Sequence, residues 1–190
     1  MSEADLQGVS FSAELPLKWE DLSGQSPFTL QGWMFANVAM LHGLATMEAV
    51  QGDKENELGP VAGKALERLE AKVDMSLTLL ARLLANRSDF PATLPVTLSP
   101  DFIEWIGGEG PETGREVLLS LYLSRVLPMP LLLPARVVAS GRHADGMHTR
   151  AVFIHFSEEM EDWLERTVFR YHRRAIHARL AQQGGTDPSP

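Results

Sequence analysis

Cysteine is absent from the 190-residue chain, which excludes disulfides, thiolate metal ligands and cysteine nucleophiles together. Basic residues are also scarce: 17 Lys and Arg stand against 25 Asp and Glu, a formal net charge of −8. Binding a polyanion depends on Lys and Arg to displace its counterions, so nucleic acid is not an expected partner. No apolar run approaches the roughly 20 residues that cross a bilayer, so membrane insertion is not expected. The opening Met1-Ser2-Glu3-Ala4-Asp5 is acidic and lacks the basic and apolar regions of an export signal, and a cytoplasmic location is the expectation.

What is present suits a globular protein: 44% hydrophobic and 22% charged residues, enough apolar surface to drive folding. At 21.0 kDa the chain accommodates one domain, or one domain with an attached helical module. Residues 1–26 form an N-terminal segment in which Phe11, Ala13, Leu15, Leu17 and Trp19 alternate, a strand that Pro16 would confine to a sheet edge. After Ser26-Pro27, the residues Leu30, Trp33, Met34, Val38, Leu41, Leu44, Ala45 and Met47 recur at helical spacing and predict an amphipathic helix.

A polar loop at 51–59 precedes Pro60, which opens a second helix expected to reach about Asn86. Its pattern fits heptads with Leu66, Val73 and Leu80 at a and Ala62, Leu69, Ser76 and Leu83 at d. Leu77, Leu79 and Leu84 add apolar surface beyond that seam, which suits contact on two sides in a multi-helix bundle. Residues 27–88 are therefore read as a helical oligomerisation region.

From Pro91 onward Pro and Gly punctuate short runs rich in β-branched and aromatic residues, and strands are expected at Val96–Ser99, Phe102–Ile106, Glu116–Ser124, Leu131–Ser140 and Thr149–Phe156. Asp145-Gly146 marks a hairpin between the last two. Period-two spacing puts Val117, Leu119, Leu121 and Leu123 on one face, and Leu131, Leu133, Ala135 and Val137 on one face of the next strand. A final helix starts after Ser157 with Glu158 and Glu159 in its first turn, turns Met160, Trp163, Leu164 and Val168 toward the strands, and ends in Arg170, Arg173, Arg174 and Arg179. Residues 89–183 thus form a barrel with its C-terminal helix, and 184–190 a frayed tail.

Signatures of catalysis fail on spacing. Gly59-Pro60-Val61-Ala62-Gly63-Lys64-Ala65 is a residue short between its glycines and lacks the hydroxyl that follows the lysine of a phosphate-binding loop. His172 and His177 are five apart and do not share a helix face as metal ligands, and His143 and His148 flank a turn. No Gly-x-Ser-x-Gly elbow positions a serine, and Glu158/Glu159 and Glu161/Asp162 read as an acidic first turn. No metal site and no catalytic residue is expected.

The order Leu94-Pro95-Val96-Thr97-Leu98-Ser99-Pro100-Asp101-Phe102-Ile103-Glu104-Trp105, then Val117–Leu123, then Leu133–Val138, then Ala151–Phe156 leading through Ser157-Glu158-Glu159 into a helix ending Phe169–Arg174, resembles a PilZ domain over roughly Leu66 to Arg174. The resemblance implies an α+β fold: a small antiparallel β-barrel with a C-terminal helix, here with additional long helices before the barrel. It also implies a non-catalytic protein of the bacterial cyclic di-GMP network. Such domains hold that nucleotide through Arg-x-x-x-Arg and Asp/Asn-x-Ser-x-x-Gly. Here only Arg82 and Arg87 precede the barrel, one residue too far apart, and of Thr97-x-Ser99-x-x-Phe102 only Ser99 matches. Paired guanidinium groups supply the planar donors that grip guanine and phosphate, so binding should be weak or absent and no cofactor is expected. The expectation is an adaptor, homo-oligomeric and with a tetramer as one candidate size, acting on an unidentified protein partner in motility, pilus or virulence control. The alternative is a direct cyclic di-GMP receptor using Arg82, Arg87 and Ser99, aided by Arg115 or Arg136.

Overall fold

The structure, a computed structural model, describes residues 9–49, 68, 69, 71–73, 75, 76, 91–124 and 129–183. Six strands, β1 (Phe11–Asp21), β2 (Thr93–Leu98), β3 (Phe102–Gly107), β4 (Glu116–Leu121), β5 (Leu131–His143) and β6 (Gly146–Phe153), close into an antiparallel barrel in the order β1-β2-β3-β6-β5-β4. Helix α1 (Pro27–Ala49) lies between β1 and β2 in the chain, and α2 (Glu158–Gln183) follows β6.

Alternation in the strands puts the inward residues beyond the reach of water. Val117, Leu119 and Leu121 of β4 and Leu131, Leu133, Ala135 and Val137 of β5 are 0–1% exposed, as their spacing predicts. Trp105, Leu98 and Ile103 fill the middle of the same core, and Met160, Leu164 and Val168 of α2 close over it. The Ser157 hydroxyl accepts from the Met160 amide at 3.2 Å, the cap that the sequence places there. Between β5 and β6 the two-residue turn is Ala144-Asp145, and Gly146 already pairs with His143. Its φ of 141° is open only to glycine, and a Cβ there would come within 2.9 Å of the Gly107 carbonyl oxygen.

The N-terminal strand corrects the sequence reading: β1 is not an edge. It pairs with β2 through Phe11–Pro16 and with β4 through Leu17–Asp21, so it closes the barrel, and the barrel unit begins at residue 11. Pro16 sits where β1 passes from one partner to the other, so its missing N–H costs no ladder bond, while its carbonyl still accepts from Tyr122 at 3.1 Å. The additional helices accordingly interrupt the barrel after its first strand instead of preceding it.

Helix α1 starts as its sequence dictates, with Pro27 in the first turn and the Ser26 hydroxyl accepting from the Thr29 amide at 3.2 Å. Met34, Met40, Leu41 and Leu44 are buried against the barrel and α2. Asn37, 2% exposed, acts as a substitute strand: its Nδ2 donates to the Leu132 carbonyl at 2.8 Å and its Oδ1 accepts from the Leu132 amide at 3.0 Å. Leu132 lies on β5 before pairing with β6 begins at Ala135, so Asn37 satisfies a backbone edge that the barrel leaves open. The helix is not amphipathic in the expected sense, because Phe28 and Phe35 remain 85% and 79% exposed on the side turned away from the core.

Candidate functional site

Two surfaces could carry function: an open trough on the barrel and the outward faces of the helical residues. The trough, about 900 Å³, runs across the outer face of β1, β2, β3, β6 and β5. Outward positions of successive strands build it, so its lining follows directly from the alternation that fills the core. Ser12 and Thr97 hydroxyls meet across β1 and β2 at 2.8 Å. Arg150 reaches Glu104 at 3.2 Å and lies 3.9 Å above the Phe102 ring. Phe102 thus occupies the place where a typical ligand motif has glycine and serves as a platform for Arg150. At the far end the His143 and His148 rings lie 4.4 Å apart, and His148 stands 2.8 Å from Asp145. That hydrogen bond from His148, with the Asp145 backbone amide, holds the Asp145 carboxyl below the usual carboxylate range.

Chemically the trough is close to neutral. Among the described residues its one guanidinium, Arg150, is countered by Glu104, and Glu14 adds a second carboxylate. Ser99 does not face it: the side chain is 0% exposed and its hydroxyl has no partner among the described residues. Arg115 and Arg136, named as helpers for a ligand, are held elsewhere, Arg115 by Asp21 at 2.8 Å and Arg136 by Glu116 at 2.7 Å. Arg82 and Arg87 lie outside the described residues. The described side chains therefore bring no pair of free guanidiniums to one place. Thr149, 2% exposed and with no hydroxyl partner among the described residues, packs against Gly110, where a Cβ would come within 2.5 Å of it.

The basic end of α2 has a structural task. Glu48 of α1 receives Arg174 at 2.8 Å and Arg170 at 3.7 Å, which ties the end of α1 to α2. Tyr171 stacks on Phe11 at 4.9 Å, and its hydroxyl is pushed above the ordinary phenol range by burial and by the Glu48 charge. His172 Nδ1 lies 2.6 Å from the Ser10 carbonyl oxygen and anchors the entry to β1.

Of the heptad positions, Leu69, Val73 and Ser76 are described; Ala62, Leu66, Leu80 and Leu83 lie outside the described residues. Residues 68, 69, 71–73, 75 and 76 are helical, and Leu69, Val73 and Met75 are 58%, 47% and 65% exposed. The Ser76 hydroxyl donates to the Lys72 carbonyl at 2.9 Å, one turn back along the same helix. A second stripe, missed by the sequence reading, runs along α1: Phe28, Gly32, Phe35 and Ala39 are all exposed and alternate by four and three residues. Glu48 is the sole charged residue of this 23-residue helix. That spacing was legible, but a helix apolar on both sides gives no sign from sequence of which side meets the barrel.

A model of the family described as "Atypical PilZ domain, cyclic di-GMP receptor" matches residues 41–180. Among solved structures, a pathogenic protein from Xanthomonas campestris, described as a new tetrameric PilZ domain self-assembled via an unusual helical bundle, is 26% identical with a TM-score of 0.70. The alignment covers 90% of this chain and 92% of that one. No curated protein matches.

Proposed function

Because the chain belongs to the atypical PilZ domain family, a family of receptor domains, we propose that it is a non-catalytic signalling adaptor of the bacterial cyclic di-GMP network. It self-assembles through its helices and presents several barrels to a protein partner in the cytoplasm, in control of motility, pilus function or virulence. The observation that carries this reading is the pair of apolar stripes on the helical residues, Phe28 with Phe35 and Leu69 with Val73, all left open to water within one chain. Contiguous apolar surface on a soluble protein marks an interaction site, and two such stripes at heptad spacing suit helix packing between copies. The tetrameric, helical-bundle description of the Xanthomonas campestris protein supports the same assembly here.

Cyclic di-GMP binds weakly or not at all on this reading. The near-neutral trough, the buried Ser99 and the engaged Arg115 and Arg136 support that part. Light scattering on the full chain, with and without an excess of the nucleotide, tests both halves. A mass several times 21.0 kDa that the nucleotide leaves unchanged is expected. Leu69→Glu with Leu80→Glu should return a folded monomer. A monomeric parent chain would overturn the assembly, and a nucleotide-dependent mass would overturn the weak-binding claim.

A further inference from the structure

An adaptor needs a receiving surface, and one groove on the barrel has the chemistry of one. About 650 Å³ in volume, it lies where the β2–β3 turn, the end of β6 and the side of α2 meet. Its apolar part is Val9, 40% exposed, the Phe153–Phe156 pair stacked at 4.9 Å, and Phe169, 50% exposed. Glu161, Glu165 and Phe169 follow one another at four-residue intervals along α2 and form one wall, with Asp101 opposite. Among the described residues no cation is paired with any of these three carboxylates, although ion pairs form nearby, at Asp162 with Arg166 and at Glu48 with Arg170 and Arg174.

The walls of the groove are fixed. The Asp101 carbonyl accepts from the Phe153 amide at 3.1 Å, and His172 holds Ser10 beside Val9. Between the two phenylalanines His155 takes φ of 60°, a left-handed backbone in which histidine, like asparagine and aspartate, is found more often than most residues, and Phe153 and Phe156 stack on either side of it. A rigid apolar floor flanked by unpaired like charges is the surface on which anchor residues gain affinity while complementary charge fixes orientation.

We infer that this groove receives a short amphipathic segment of a partner protein, with aliphatic or aromatic anchors flanked by Lys or Arg. Charge selects the occupant. Anionic lipid and nucleic acid are repelled by Asp101, Glu161 and Glu165, and the chain's own Met1-Ser2-Glu3-Ala4-Asp5 carries the same sign. This inference rests on the adaptor reading and names its partner class.

The test uses two labelled helical peptides of identical length, one patterned with leucine and lysine and the other with leucine and glutamate, titrated into the full chain at about 0.15 M salt, where the screening length is about 8 Å. The lysine peptide should bind and the glutamate peptide should not. Glu161→Lys with Glu165→Lys should weaken binding at least about tenfold and Phe169→Ala about threefold, while Glu109→Lys with Glu112→Lys, an equal charge change on the β3–β4 loop, should alter it less than about twofold. No binding of the lysine peptide, equal loss in the groove and loop variants, or equal binding of the two peptides would each overturn the inference. Circular dichroism checks that the variants fold, and light scattering on the same samples separates the two readings. An unchanged oligomer with lost peptide binding supports the groove, a mass that falls in the groove variants identifies it as a contact between copies, and a monomeric parent chain defeats the assembly alone.

Discussion

The barrel and the helices inserted into it treat apolar surface in opposite ways. Leu119, Leu121, Leu131 and Leu133 of the barrel are 0% exposed, whereas Phe28 and Phe35 of α1 stand almost free in water. Burying a phenylalanine contributes about 1.5–3 kcal/mol relative to leaving it exposed, so two on one helix face represent stabilisation that the single chain forgoes. The barrel closes through β1, which pairs on both sides, and Asn37 of α1 covers the edge left open at Leu132. The inserted helix is joined to it on one side only. The difference separates apolar surface that the domain buries in order to fold from apolar surface that the single chain leaves open.

Substitution in the closed region should have the largest effect. Leu133→Ala leaves a cavity where six strands converge and should cost about 3–5 kcal/mol, enough to unfold a marginal domain. Urea denaturation would reveal it, and a loss below about 1 kcal/mol would mean that the barrel interior can collapse around the gap. The joint between the two regions comes next. Asn37→Ala strips both partners from the Leu132 backbone and should cost about 2–3 kcal/mol, read in the same way. Normal stability there would show that water replaces the amide and that α1 is less firmly seated than its hydrogen bonds suggest.

On the open face the sign changes. Phe28→Ser with Phe35→Ser removes little buried surface in the single chain, so thermal stability at high dilution should move by no more than about 0.5 kcal/mol. At micromolar concentration the mass should fall. A large stability loss under dilution would place the two rings inside one chain's fold and dissolve the comparison.

Much of this was legible in the sequence, for reasons that differ by element. β4, β5 and the start of α2 follow from alternation and from Ser157, because a half-buried surface leaves a period that any reader can count. The closing role of β1 was not legible. Pro16 argued for an edge, and the handover between β2 and β4 that makes a proline harmless depends on strands 77 and more residues away. Ser99 matched a ligand motif by type, yet its burial is decided by the Ser99–Phe102 turn, where the Ser99 amide donates to the Phe102 carbonyl at 2.9 Å. Glu48 was passed over, since nothing local pairs it with arginines more than 120 residues ahead.

That same joint offers the smallest effect and the finest test. Burial and the Glu48 charge both disfavour the Tyr171 phenolate, so the folded chain holds this proton more tightly than the unfolded chain, whose phenol titrates near 10.0. The associated stability is complete below pH 10 and is lost as pH rises through the folded value. Tyr171→Phe keeps the ring stacked on Phe11 and removes the titration. At pH 7 the variant should be less stable by no more than about 1 kcal/mol. Toward pH 11 the parent should lose stability faster, and the gap should narrow. Urea midpoints at the two pH values decide it: a gap that stays constant or widens would mean that Glu48 is neutralised by Arg170 and Arg174 and that the α1–α2 contact rests on those ion pairs alone.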